Sequence, residues 1–126
     1  MSLPRSERPV ILIAEDEFLI RLATADAIRE AGFEVLEASD TDQAISILEA
    51  RSDVRVVFTD VHMPGSMDGA KLAHAVKDRW PPVRIIATSG RVPLAELDLP
   101  AGTILIPKPY SPKHVTWTLQ ALTGLE

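Results

Sequence analysis

Short apolar runs alternate with longer amphipathic stretches from Val10 to the end of the chain, and few folds accept that order. Residues 10–14, Val-Ile-Leu-Ile-Ala, form an unbroken apolar run, as a strand buried on both faces requires. Residues 18–31 carry apolar side chains at 18, 19, 22, 23, 27 and 28, a helical spacing, and Gly32 sits where a C-terminal cap belongs. A second, more polar strand is expected over 33–38, nearer a sheet edge. Asp40 or Thr41 can cap a helix running through about Ala50. A third strand is predicted over 54–59. A third helix follows from Gly69 to about Arg79, with Leu72, Ala73 and Val76 on one face, and Trp80-Pro81-Pro82 ends it. Strands four and five are predicted over 83–88 and 103–106. Ser111 caps the last helix, Pro112 takes its first position, and Val115, Leu119 and Leu122 share a face.

Five β/α units imply a doubly wound α/β domain with a parallel sheet and helices on both faces. The 126 residues suffice for one such domain, and 46% hydrophobic with 25% charged residues reads as globular, not disordered. The expected division is a flexible N-terminal segment, 1–8, and a folded domain, 9–126. With no cysteine, disulfides and thiolate metal sites are excluded. No apolar run is long enough to span a membrane, and the first nine residues lack a signal-peptide core, so a cytoplasmic location is the default expectation. A formal net charge of −5 argues against nonspecific nucleic-acid binding.

Ligands in such sheets bind beyond the carboxyl ends of the strands. Glu15, Asp16 and Glu17 follow strand one; Asp60, Val61 and His62 follow strand three; Ser89 and Gly90 follow strand four; Lys108 and Pro109 follow strand five. Clustered carboxylates raise one another's pKa unless a cation sits among them. Hard oxygen ligands with room for water suit Mg²⁺, which neutralises phosphoryl oxygens during transfer. A carboxylate can accept the phosphoryl group, and a lysine and a hydroxyl can donate to its oxygens.

Four segments, in order, resemble the receiver domains of two-component response regulators. Ile-Leu-Ile-Ala-Glu15-Asp16-Glu17 is similar to their acidic pair. Thr59-Asp60-Val61-His62-Met63-Pro64-Gly65-Ser66-Met67-Asp68-Gly69 is similar to their phosphoacceptor loop, with one extra residue before Met-Asp-Gly. Ile85-Ile86-Ala87-Thr88-Ser89-Gly90 resembles the fourth strand with its switch hydroxyl, and Lys108-Pro109-Tyr110 the Lys-Pro-aromatic signature. The likeness runs from about residue 9 to 123.

The resemblance implies a chemotaxis-receiver-like sheet in the order 2-1-3-4-5. It implies a signalling domain rather than an enzyme with its own substrate. Asp60 would take a phosphoryl group from a sensor histidine kinase or a histidine phosphotransfer protein, and the domain would then switch conformation. Asp16, Asp60 and the backbone carbonyl of His62 would ligate Mg²⁺, with Glu15 acting through water or as a more distant ligand. Lys108 would pair with Asp60 and later with the phosphate, across a cis Lys108–Pro109 bond. Ser89 would turn toward the phosphate; Thr88 is the competing hydroxyl, and Gly90 after Ser89 favours Ser89. The first helix would dock the kinase. Homodimerisation is open, as is the choice between a stand-alone receiver and one excised from a hybrid kinase or larger regulator.

Other residues have plainer expected roles. Glu17 would interact with a helix dipole, and the His62 side chain would flank the site. His74 and His114 would lie on the surface. Asp68 and Gly69 would start the third helix, and Trp80 and Trp117 would serve packing. Two departures bear on output. Leu105 stands where receivers often carry an aromatic. The segment 91–102, with Pro93 and Pro100, leaves room for only a short or irregular fourth helix, around 94–97. Rival folds fail on their signatures. Haloacid-dehalogenase-like and Toprim-like enzymes need Asp-x-Asp where this chain has Glu15-Asp16-Glu17 and Asp60-Val61-His62. A flavin carrier would not place three acids at its phosphate loop. A receiver-like module that only binds partners is opposed by the intact Asp60 and Lys108.

Overall fold

The two apolar runs with the deepest burial, β1 (Val10–Ala14) and β3 (Val54–Asp60), lie side by side in the middle of a five-stranded parallel sheet. A computed structural model describes residues 7–90 and 96–125. The sheet order is β2-β1-β3-β4-β5, with β2 (Glu34–Ala38) and β5 (Ile104–Pro107) at the edges and β4 (Arg84–Ser89) between β3 and β5. The polar character of β2 is thereby explained: an edge strand keeps water along one side.

Among the described residues, four helices cover the two faces. α1 (Phe18–Glu30) and α4 (Pro112–Thr123) pack Ala25, Ile28, Val115 and Leu119 onto Ile11, Ile13, Phe58 and Ile86. α2 (Thr41–Ala50) and α3 (Gly69–Arg79) pack Ala44, Leu48, Leu72 and Val76 onto Leu12, Val57 and Ile85. Alternate residues of each strand therefore feed opposite cores. Asp40, Asp68 and Ser111 cap α2, α3 and α4, accepting from the N–H groups of Gln43, Lys71 and His114. Pro112 stands in the first turn of α4, as expected.

The boundaries shift in an instructive way. β3 runs on to Asp60, because the ladder to β4 continues through the Asp60–Thr88 pair. β4 likewise ends at Ser89 and β5 at Pro107. β3 and β4 thus carry Asp60 and Ser89 on their final positions, where the backbone is still held by the sheet, and Lys108 directly follows β5.

Of the apolar α1 positions, Phe18, Leu19 and Leu22 are 60%, 76% and 39% exposed, while Ile28 is buried together with Thr24 and Ala25. Trp117 is not a packing residue: it is 61% exposed on the outer side of α4, with the Lys113 ammonium 5.7 Å from its ring centre. Trp80 does pack, against the α2/α3 core. His74 and His114 are both exposed. The expected short helix around 94–97 lies largely outside the described residues; between β4 and β5 those that are described contain no α-helix. Of the segment 1–8, residues 1–6 also lie outside them.

Candidate phosphoacceptor site

The chain leaves β1 toward β2 on one side and later returns through β3 on the other, so a crevice opens between the carboxyl ends of β1 and β3. Glu15 and Asp16 follow β1 directly, and Asp60 is the last residue of β3. One carboxylate oxygen of each lies within 4.8 Å of those of the other two. Glu15 and Asp60 are buried, while Asp16 is open to solvent.

Lys108 comes from the end of β5 and closes the group. Its Nζ lies 2.6 Å from Asp60 Oδ2 and 3.2 Å from Glu15 Oε1. The remaining oxygens are also held: the His62 N–H donates to Asp60 Oδ1 at 3.0 Å and the Glu17 N–H to Glu15 Oε2 at 3.2 Å. Burial raises the Glu15 pKa, and the Asp60 charge adds to this; the Glu17 N–H and Lys108 only partly oppose it. Burial alone would lower the Lys108 pKa, but its pairing with Asp60 and Glu15 leaves it raised. Lys108 pairs with two of the three carboxylates, Glu15 and Asp60, so the group keeps excess negative charge and calls for a further cation.

A cavity of about 260 Å³ opens over this group, lined by Asp16, Glu17, Asp60, His62, Gly90 and Lys108. The His62 side chain flanks the site as expected. Glu17 lies at the N-cap position of α1 without a side-chain capping bond and faces the cavity. The donor set, three carboxylates at one rim, fits a hard divalent cation such as Mg²⁺.

The two candidate hydroxyls differ in setting. Thr88 is in register with Asp60, and its carbonyl accepts from the Val61 N–H at 2.9 Å. Ser89 accepts the Lys108 N–H on its carbonyl at 3.2 Å and precedes the cavity-lining Gly90. Both hydroxyls are buried and, among the described residues, make no hydrogen bond. The Lys108–Pro109 peptide is cis.

The contacts made by Arg21, Tyr110 and Thr41 escaped the reading of the sequence. Arg21 donates to the Glu15 carbonyl at 2.9 Å and to Glu37 at 3.2 Å, tying the acidic turn to α1 and β2. Tyr110, edge-on to Phe58, bonds the buried Thr24 hydroxyl at 3.0 Å. Thr41 bonds the loop after Asp60. The only signal for Thr24 was a hydroxyl amid apolar helix positions, and Thr41 stood out only as an alternative cap for α2.

The sequence profile of the response regulator receiver domain matches residues 11–117. The chain is 35% identical over 104 residues to the transcriptional regulatory protein PdtaR of Mycobacterium tuberculosis, covering 80% of this chain and 50% of that protein. It therefore spans half the length of that relative. A response regulator receiver protein from Sinorhizobium medicae superposes with a TM-score of 0.80 at 27% identity, covering 95% of both chains. The receiver domain of the hybrid histidine kinase CckA superposes at 0.75 with 30% identity, over 90% of this chain and 97% of the other.

Proposed function

The chain belongs to the response regulator receiver domain family, and from this we propose that Asp60 accepts a phosphoryl group from a phosphohistidine of a sensor kinase or phosphotransfer protein. The observation that carries the proposal is the convergence of Glu15, Asp16, Asp60 and Lys108 from the ends of three strands, with Lys108 Nζ at 2.6 Å from Asp60 Oδ2.

In this reading an Asp60 carboxylate oxygen attacks the phosphorus; a P–O bond forms as the P–N bond to the donor imidazole breaks, and the imidazole leaves. The sheet holds the Asp60 backbone, and the His62 N–H fixes one carboxylate oxygen, so the other, Oδ2, is presented once the Lys108 ammonium moves from it to the phosphoryl group. Asp16, Asp60 and the His62 carbonyl would hold Mg²⁺, with Glu15 acting through water. When bound, the ion would neutralise charge on the phosphoryl oxygens. Lys108 then pairs with the phosphoryl group, and a buried, unpartnered hydroxyl, Ser89 in preference to Thr88, turns to donate to it. Leu19, Ile20 and Ala23 of α1 line an apolar groove reaching Pro109 and Pro112, α1 also exposes Phe18 and Leu22, and this face suits a donor protein's helix. No helix among the described residues is long and apolar enough to cross a membrane; a cytoplasmic site of action is part of the proposal.

Intact-mass measurement after incubation with Mg²⁺ and acetyl phosphate tests this. One added phosphoryl group is expected, absent in Asp60→Asn and absent with EDTA. An adduct that survives Asp60→Asn would move the acceptor elsewhere. No adduct in the wild type, from acetyl phosphate or from a phosphorylated histidine phosphotransfer protein, would leave a partner-binding module.

A further inference from the structure

The loop between β3 and α3, residues 61–68, is tied down at two ends. One end belongs to the sheet: the Val61 N–H bonds the Thr88 carbonyl, and the Gly69 N–H bonds the Val61 carbonyl at 2.8 Å. The other end is held by α2, which contributes nothing to the acidic cluster. Thr41, fully buried, donates its hydroxyl to the Met67 carbonyl at 2.7 Å and its N–H to the Pro64 carbonyl at 3.3 Å. Asp42 accepts from the Ser66 N–H at 3.2 Å and from the Ser66 hydroxyl. Gly65 lies in the contact with φ +125°, where a Cβ would overlap the Thr41 hydroxyl. Met63, before these ties, is buried in the α2/α3 core.

We propose that the first turn of α2 positions the phosphoacceptor loop: Thr41, seconded by Asp42, fixes residues 64–67 and through them the His62 carbonyl and the Asp60 carboxylate. The proposal rests on the receiver reading of Asp60. A backbone carbonyl cannot be aimed by a rotamer; only the path of its loop aims it. This loop has no regular structure and must find its restraint outside itself. Thr41 supplies that restraint from a buried position, where losing the donor leaves the Met67 carbonyl unpaired. Groups that orient a metal's ligands characteristically affect its affinity without touching the ion. Thr41 is therefore a positioning residue, not a catalytic one.

The test is an amide-resonance titration of the full chain with Mg²⁺, following the His62 and Lys108 amides, on wild type, Thr41→Val and Thr41→Ser. Valine keeps the volume and removes the donor; serine keeps the donor. Thr41→Val is expected to weaken Mg²⁺ binding about tenfold while retaining a dispersed spectrum, and Thr41→Ser to restore it near the wild-type value. A dispersed Thr41→Val spectrum with wild-type affinity overturns the proposal. If Thr41→Val does not fold, Ser66→Ala decides, because it is exposed and leaves the Asp42 charge in place: weaker Mg²⁺ binding supports the brace, and unchanged binding overturns it. A wild type that binds Mg²⁺ and takes the phosphoryl group alongside unaffected variants sinks the brace alone. A wild type that does neither removes the proposed function, and the brace with it.

Discussion

Glu15 holds a buried carboxylate whose charge the fold opposes. It is 2% exposed, and burial followed by the Asp60 charge disfavours its ionised form. Removing that charge should stabilise the metal-free protein, although a glutamine keeps only one of the two acceptor oxygens that Glu15 offers to the Glu17 N–H and Lys108. Glu15→Gln is expected to raise the unfolding midpoint in EDTA by about 4 °C, which is what roughly 1 kcal/mol produces in a domain of this size. Calorimetry that finds the midpoint unchanged or lowered would mean that the Lys108 pairing already compensates Glu15. The identity of Glu15, Asp16, Asp60 and Lys108 as a group was legible in the sequence, because each stands at the end of an apolar run. The resemblance already implied the Lys108–Asp60 pair; the backbone N–H partners two residues away and the Lys108–Glu15 bond across 93 positions were not legible.

At the scale of elements, the helices were legible from spacing and caps, and their buried faces only in part. α1 carries two apolar stripes, and the sequence cannot say which one the sheet takes. The sheet takes Ala25 and Ile28, and this leaves Phe18, Leu19 and Leu22 outside. α3 starts under a tighter constraint. A Cβ at Gly69 would overlap the Asp60 carbonyl oxygen, so the helix must begin on a glycine to approach the strand so closely. Asp68 caps that start by accepting from the Lys71 N–H at 2.8 Å. Asp68→Ala is expected to cost about 1 kcal/mol of stability in urea unfolding. A loss near zero would show that packing of Leu72 and Val76 alone sets where α3 begins.

For the molecule as a whole, the contact between Tyr110 and Thr24 joins the turn after β5 to α1 behind the site. Burial raises the Tyr110 pKa above its ordinary value of 10.0, with the Thr24 hydroxyl opposing; Glu15 and Asp60 push it up and Lys108 pulls it down. A phenol whose pKa is raised by folding contributes stability that is complete below its unfolded pKa and lost as pH rises through the folded one. Lys108, also raised, contributes in the same direction. Tyr110→Phe should therefore be less stable than wild type near neutrality, and the gap should narrow above about pH 10. Urea denaturation across that range measures the gap; one that stays constant with pH would remove Tyr110 from the alkaline transition.

By itself the sequence determined the strand and helix order, the parallel sheet and the residues gathered on its carboxyl rim. Those follow from local periodicity and from the rule that successive β/α units cross over with one hand. The tertiary structure alone decided which α1 stripe faces water, that Trp117 is exposed, that β3 to β5 each run one residue further, and that α2 holds the loop after Asp60. These outcomes depend on contacts between residues far apart in the chain. Thr41 and Met67 are 26 positions apart, and Thr24 and Tyr110 are 86 apart, so no local pattern records either pair.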